Sequence, residues 1–265
     1  INSGAYIGNV VAADGNTFAV AAPHAENGAL SPVGKVFVYT TSMGVVTLQT
    51  SFQPAGLSPS DLFGWDIDLV GDTLVVTAPG SDGGAGSIWV FERTGGDWDT
   101  GIELPCPHSE DGNAFGWSVA INHDDESQMV IGAPWDYDSG TDSGRVFYFE
   151  KASTIWLNTA EIDQTDLGVM TFHLGWEVDY DGEHFAIGEP DNQRIHVMGW
   201  TGAFPLWDLV DTVSPISTSS TSYFGESFAL DGELLAAGVR LSDLNGALSG
   251  AAYLFRLTGP GQWDQ

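Results

Sequence analysis

The chain has 265 residues, with 36 acidic against 7 basic side chains, a formal charge of −29, and 43% hydrophobic residues. That charge repels phosphate backbones and anionic lipid, which argues against nucleic acid and membrane surfaces as partners, and no apolar run of about 18 residues is present to span a bilayer. The lone Cys106 excludes an internal disulfide, and the opening INSGAY reads as a processed start rather than a signal peptide.

One pattern recurs five times. A glycine follows an aromatic or aliphatic residue, an alternating apolar run leads to a tight turn, and a second run ends near Ala-Pro. The anchor glycines are Gly8, Gly64, Gly116, Gly175 and Gly225, spaced by 50 to 59 residues. In the first copy, YIGNVVAADGNTFAVAAPH, Asp14-Gly15 makes the turn and GKVFVY follows as a third strand. An Asp-Gly pair between alternating runs predicts a two-residue hairpin loop, of type I′.

The second copy is the clearest. Trp65, Ile67 and Leu69 alternate with Asp66 and Asp68, a period of two that predicts a strand. Gly71-Asp72 turns the chain, and Leu74–Ala78 forms a second run closed by Pro79, which cannot donate to a ladder. SIWVF (Ser87–Phe91) is the third strand, and Trp98, Ile102 and Leu104 mark the fourth. The third copy repeats this plan with a longer turn, NHDDES, then Ala133-Pro134, GRVFYF and Trp156. The fourth keeps Asp181-Gly182, shortens the following loop to DNQ and replaces the glycine-led strand with Arg194–Met198 before Trp207. Its tail, SPISTSSTS at 214–222, reads as an extended connection. The fifth has Asp231-Gly232, Arg240 in place of proline, GAAYLF and Trp263.

Four consecutive strands with short connections predict an antiparallel meander. A repeat apolar on both faces needs neighbours on both faces, and radial stacking supplies them. The expected fold is all-β, a β-propeller of about five four-stranded blades forming a single domain, with blades at 1–56, 57–109, 110–167, 168–219 and 220–265. Five blades are expected to close, with room for others beyond Gln265.

These residues carry a family resemblance. Phe63-Gly64, Phe115-Gly116 and Phe224-Gly225, with Gly132-Ala133-Pro134 in full and Ala22-Pro23 and Ala78-Pro79 in part, resemble the FG-GAP repeats of integrin-α-type propellers. The resemblance implies a propeller and covers nearly all of residues 4–265. It leaves function open, because such repeats occur in adhesion receptors, lectin-like surface proteins, secreted hydrolases and structural appendages. The family's calcium loop is too short to form in four copies, and in the third only Asn122, His123, Asp124, Asp125 and Glu126 approach it, without its glycine.

Candidate site residues follow from position in the repeat. Trp65, Trp117 and Trp176 each follow an anchor glycine and form a ring that could stack a sugar face, or pack between blades. Beside them Asn9, Asp66, Ser118, Glu177 and Glu226, one or two residues after their anchors, are expected on the innermost strand and would give a central channel a negative potential. The best Ca²⁺ candidate is DYDSGTDSG, with Asp136, Asp138 and Asp142 around Gly140, set against a plain solvated loop. The six histidines share no place in the repeat, and no nucleophile elbow, HExxH or phosphate loop occurs.

Two functions remain. The first is a non-catalytic secreted or cell-surface module for adhesion or extracellular assembly. It would bind a protein or glycan ligand, or other copies and domains, on a propeller face, and its acidic surface would suit a marine or high-salt medium. The second is a secreted carbohydrate-active hydrolase or lyase, which needs one pocket holding a Trp, two close acids and a basic residue.

Overall fold

In the computed structural model the predicted strands appear in groups of four. The structure describes residues 4–26, 32–108, 112–137, 142–202, 207–216, 223–243, 246, 249–259 and 261–265. The tail at 214–222 falls mostly outside them, and so does Asp138. The chain divides into two compact units, Ile1–Ile121 and Asn122–Gln265.

The first unit holds β1 (Val11–Asp14), β2 (Thr17–Ala22), β3 (Lys35–Ser42) and β4 (Val45–Phe52), then β5 (Ile67–Val70), β6 (Thr73–Ala78), β7 (Ser87–Thr94), β8 (Asp97–Trp98) and β9 (Ile102–Pro105), and ends with β10 (Ser118–Ile121). The second holds β11 (Gln128–Ala133), β12 (Arg145–Ala152) and β13 (Ile155–Ile162), β14 (Val178–Tyr180) to β17 (Trp207–Val213) by way of β15 (His184–Glu189) and β16 (Arg194–Trp200), and β18 (Ser227–Asp231), β19 (Leu234–Val239), β20 (Ala251–Gly259) and β21 (Gln262–Asp264). Strand order is sequential in every sheet: β1-β2-β3-β4, β5-β6-β7-β8, β10-β11-β12-β13, β14-β15-β16-β17 and β18-β19-β20-β21. The second sheet's outer strand is interrupted, and its second piece, β9, also pairs with β7. The described pairings between these strands are antiparallel, so the molecule is all-β with five four-stranded meanders.

The Asp-Gly hairpin turns of the first and fifth copies differ from expectation and match the Gly-Asp turn of the second. Asp14 pairs with Thr17, Val70 with Thr73 and Asp231 with Leu234, so the loops are Gly15-Asn16, Gly71-Asp72 and Gly232-Glu233. Positive φ occurs only at the glycine, 55°, 57° and 57°. A type I′ loop needs φ > 0 at both central residues, so these are glycine-first loops of the II′ kind. Asp14 and Asp231 are the last strand residues rather than loop residues.

In the three middle sheets the second strands are almost wholly buried: every residue of β6 is buried, and all of β11 and β15 but the first. In the first unit the side chains of Ala19, Ala21, Val36 and Val38 pack with Ile67, Leu69, Leu74, Val76 and Phe91. In the second, Ile195, Val197 and Val213 pack with Leu230, Leu235, Ala237 and Phe255. The fifth sheet buries only alternate residues. Ala229, Ala236 and Leu254 lie on a face open to solvent, with Leu254 56% exposed. The fourth-strand tryptophans recur as expected, with Trp98 in β8, Trp156 in β13, Trp207 at the head of β17 and Trp263 in β21.

Helix is confined to single turns. One, α1 (Gln164–Leu167), was not foreseen. It is capped by Asp163, which accepts from the Thr165 N–H while Asp166 accepts from the Asp163 N–H, and it is closed by Gly168 at φ 66°.

Candidate functional site

A recurrent backbone device builds the end of each sheet that carries the anchor glycines. Each anchor has positive φ: Gly8 81°, Gly64 87°, Gly116 86°, Gly175 88° and Gly225 93°. Two residues earlier a non-glycine also takes the left-handed conformation: Tyr6 52°, Leu62 60°, Ala114 52°, His173 54° and Tyr223 53°. The residue between them meets the glycine that opens the preceding third strand through a parallel bridge, Gly34 with Phe63, Gly86 with Phe115 and Gly144 with Leu174. A Cβ on Gly86 would lie 2.1 Å from the Phe115 carbonyl oxygen, so the sequence must keep glycine there. At Gly64, Gly116 and Gly175 the segment ahead of the strand is therefore pinned to the third strand of the sheet before.

The residue after each anchor sits just ahead of the first strand. Trp65 precedes β5, Trp117 precedes β10 and Trp176 is two residues before β14. Asn9, Asp66, Glu177 and Glu226 likewise lie ahead of the strand, and only Ser118 is in it. In the first unit Trp65 and Trp117 are half-buried and contact each other, ring centroids 4.6 Å apart at 44°. In the second, Trp176 lies 5.6 Å from Trp135, the residue after Gly132-Ala133-Pro134. His173 closes this cluster at 5.7 Å from Trp135 and 6.1 Å from Trp176, and its Nδ1 pairs with Asp191. Phe172, 42% exposed, and Met170, 73% exposed, border the same segment, for Phe172 N–H donates to Glu189 and the Met170 carbonyl accepts from Asn192.

Two of the acidic residues expected in a channel, Asp66 and Glu226, have partners within the fold. Asp66 accepts the Val119 N–H at 2.9 Å through Oδ2 and its neighbour Ile67 N–H at 2.9 Å through Oδ1. Burial pushes its pKa up to about 7, against the two N–H donors that favour the anion, with Asp68 adding to the rise. Glu226 pairs with Arg240, whose guanidinium also stacks 5.0 Å from the Tyr223 ring. Arg240, standing where proline is expected, thus ties down the fifth copy's candidate acid. Glu177 is half-buried, and the Gly188 N–H donates to its carbonyl.

In the loop offered for Ca²⁺, Asp136 is fully buried, with Oδ1 3.3 Å from Arg145 Nε. Arg145 also meets Glu161 at 2.5 Å. Asp142 is exposed in the left-handed region, and its carbonyl accepts the His173 N–H. Among the described residues no three or more His, Cys, Asp or Glu side chains are grouped to hold a metal. A second buried pair joins Glu189 to His196, Oε2 to Nε2 at 2.9 Å, with His196 Nδ1 3.0 Å from Thr212 Oγ1. Both side chains are fully buried, so this pair organises the fourth sheet's interior.

At the other end of β14 lies a cleft of about 700 Å³. Its floor is a polar network in which Tyr180 Oη donates to Gln128 Oε1 at 2.8 Å, which also accepts from Asn122 at 2.7 Å. Burial raises the Tyr180 pKa to about 12. Its walls include Trp200, Trp207, His184 and the acids Asp125, Glu183 and Asp208. Two further clefts, one at Glu226 and Arg240 and one at Asp61 and Asp82, contain no tryptophan. In none of these three clefts does a tryptophan meet two acids and an Arg or Lys. Trp135, His173 and Trp200 were missed by sequence reasoning. A signal existed for the first two: Trp135 directly follows the Ala-Pro landmark, and His173 stands two residues before an anchor.

The FG-GAP repeat model matches residues 47–91, 108–149 and 207–255, together more than half of the chain. The first and last matches begin in the outer strand of one sheet, β4 or β17, and run through three strands of the next. No curated protein sequence matches the chain. Among solved structures it resembles a candidate 6-phosphogluconolactonase from Bacteroides fragilis, with TM-score 0.58 and 15% identity over 95% of this chain and 67% of that one. It also resembles a functionally unknown protein from Desulfotomaculum acetoxidans, with TM-score 0.53 and 13% identity over 92% of this chain and 69% of that one. At such identities the likeness concerns the fold alone. No helix among the described residues is long and apolar enough to cross a membrane.

Proposed function

The chain belongs to the FG-GAP repeat family, and on that footing we propose that it is a non-catalytic extracellular or cell-surface module for binding and assembly, its five sheets serving as propeller blades. Its ligand is a protein or glycan, or a neighbouring copy or domain of an extracellular assembly, taken at the end of the sheets that carries the anchor glycines. The observation supporting this reading is the pairing of half-buried tryptophans there, Trp65 with Trp117 and Trp135 with Trp176. Tryptophan offers a large rigid face at low entropic cost, suited to a sugar ring or a partner's apolar side chain. The charge of −29 disfavours anionic partners and raises the encounter rate with basic ones.

The test is titration of a panel of soluble polysaccharides and immobilised extracellular-matrix proteins, followed by tryptophan fluorescence and calorimetry. Saturable binding weakened tenfold or more by Trp65→Ala or Trp176→Ala is expected. Binding unchanged in both variants would move the site elsewhere. Turnover of a saccharide or ester by the purified chain would replace the non-catalytic reading with the hydrolase or lyase reading.

A further inference from the structure

We propose that the cleft between the Asn122–Gln128 turn, the Asp181-Gly182 turn and the strands β16 and β17 is a binding site for an organic ammonium cation. It lies at the end of β14 opposite Trp176 and shares no named residue with the tryptophan pairs, so it stands apart from the reading above.

Three observations converge on this ligand. First, the cleft is concave and of ligand size, about 700 Å³. Second, it presents an aromatic corner. Trp200, 47% exposed at the end of β16, meets the buried Trp207 edge to face, centroids 5.3 Å apart at 67°. Tryptophan is the best aromatic partner for a cation, because its ring face carries the negative lobe of the quadrupole. Third, the charge around that corner is of one sign. Asp125, Glu183 and Asp208 line the cleft and are exposed, and the cleft has no Lys or Arg. No hydrogen bond or ion pair from the described residues engages the carboxylates of Glu183 and Asp208, and Asp125 uses only Oδ1, toward Ser127. A phosphate, sulfate or carboxylate ligand would meet repulsion from three carboxylates with no Lys or Arg in the lining to offset it. A neutral sugar would leave these carboxylates without a charged partner. An ammonium group satisfies both the ring faces and the acids, while its alkyl stem lies on the indole.

The site's chemistry fits two sources, a free aliphatic amine or the lysine side chain of a peptide. The probes are therefore putrescine, N-acetyl-lysine methylamide and, as neutral isostere, N-acetyl-norleucine methylamide. Each is titrated by calorimetry and Trp fluorescence in physiological NaCl, where diffuse attraction to the acidic surface is screened. The expected result is saturable one-to-one binding of a charged probe, at least tenfold weaker for norleucine amide and at least tenfold weaker in Trp200→Ala. Asp208→Asn, a surface change, is expected to weaken binding without altering the melting temperature. Tighter binding of putrescine identifies a free amine as the natural class, and tighter binding of the lysine amide identifies a peptide. Equal binding of lysine and norleucine amides overturns the proposal. Full retention of binding in both Trp200→Ala and Asp208→Asn, or failure of both charged probes to saturate, does the same. Loss of this binding leaves the tryptophan-pair reading untouched, because that reading is scored on Trp65 and Trp176.

Discussion

The carboxylate of Asp68 in β5 receives the backbone N–H of Ile121 in β10 at 2.7 Å, while its other oxygen receives the N–H of Leu69 at 2.7 Å. One side chain thus joins the first strand of a sheet to the first strand that follows it one repeat later. The relation recurs with Asp14 to Gly71 N–H at 2.7 Å and Asp179 to Leu230 N–H at 2.6 Å. The outer strands show a counterpart, Asp211 to Trp263 N–H at 2.8 Å. First strands expose a ladder edge, and these carboxylates satisfy N–H groups that would otherwise lack partners. Part of the acidic excess is therefore structural.

Removing such a carboxylate should cost more than removing a surface charge. Asp68→Ala leaves the Ile121 and Leu69 N–H groups without their acceptor, and an unsatisfied buried donor costs about 1–3 kcal/mol. Asp68→Asn keeps one acceptor and should lose less. Chemical denaturation of the two variants beside an exposed control, Glu233→Ala, checks the order. If Asp68→Ala matches the control, the stitch has no energetic weight.

Gly86→Ala should be far worse than Gly96→Ala, although both glycines have similar φ, 94° and 98°. Gly96 has open space around its missing Cβ, whereas at Gly86 the new atom would sit 2.1 Å from the Phe115 carbonyl. Backbone strain alone costs about 1–2 kcal/mol, so that much is expected at Gly96. At Gly86 the bridge to Phe115 must break as well, and Phe115 is fully buried. Soluble yield and melting temperature distinguish the two. Equal losses would mean that the Phe-Gly bridge is not what holds adjacent sheets together.

Mild acid should stabilise the protein. Asp66 titrates near pH 7 when folded against 3.8 for the ordinary carboxyl, and burial also raises Asp61, Asp179 and Asp181. For a raised carboxyl the folded state binds the proton more tightly. Its stabilising contribution is complete below about pH 4 and is lost as pH climbs to about 7, with a slope of at most about 1.4 kcal/mol per pH unit from Asp66. Denaturant midpoints should thus fall between pH 5 and 7.5, and Asp66→Asn should flatten the curve. An identical pH slope in wild type and Asp66→Asn would remove Asp66 as its source.

The repeat, the four strands per copy and the outer-strand tryptophans were legible because each is written in period and spacing, which backbone geometry reads directly. The partners of the acids were not. Asp66 looks in sequence like an outward residue of an alternating strand, but it lies ahead of β5, and its partner Val119 is 53 positions away. Asp136 looks like a calcium ligand until the fold brings Arg145 against it across a hairpin. The left-handed residues Tyr6, Leu62, Ala114, His173 and Tyr223 carry no glycine to announce them. At Leu62, Ala114 and His173 the next residue is held in a bridge to a glycine of the preceding sheet, a tertiary demand that overrides local preference. The cleft at Trp200 depends on the ends of strands from different copies meeting, which spacing alone does not reveal.

Salt should stabilise the chain, and calcium should add nothing that depends on Asp142. With a charge of −29 and only 7 basic residues, carboxylates crowd the surface, and screening shortens their reach from about 30 Å at 0.01 M salt to about 8 Å at physiological strength. The melting temperature should therefore climb with NaCl over that range. In the loop that first suggested Ca²⁺, the Asp136 carboxylate faces Arg145 in the interior, and a cation entering there would have to displace a buried guanidinium. Melting curves in NaCl and CaCl₂ at matched ionic strength, on wild type and Asp142→Ala, measure both effects. A melting temperature indifferent to NaCl would mean that the surface charges are already neutralised within the fold. A calcium increment present in wild type and absent in Asp142→Ala would show that the loop binds the ion despite Arg145.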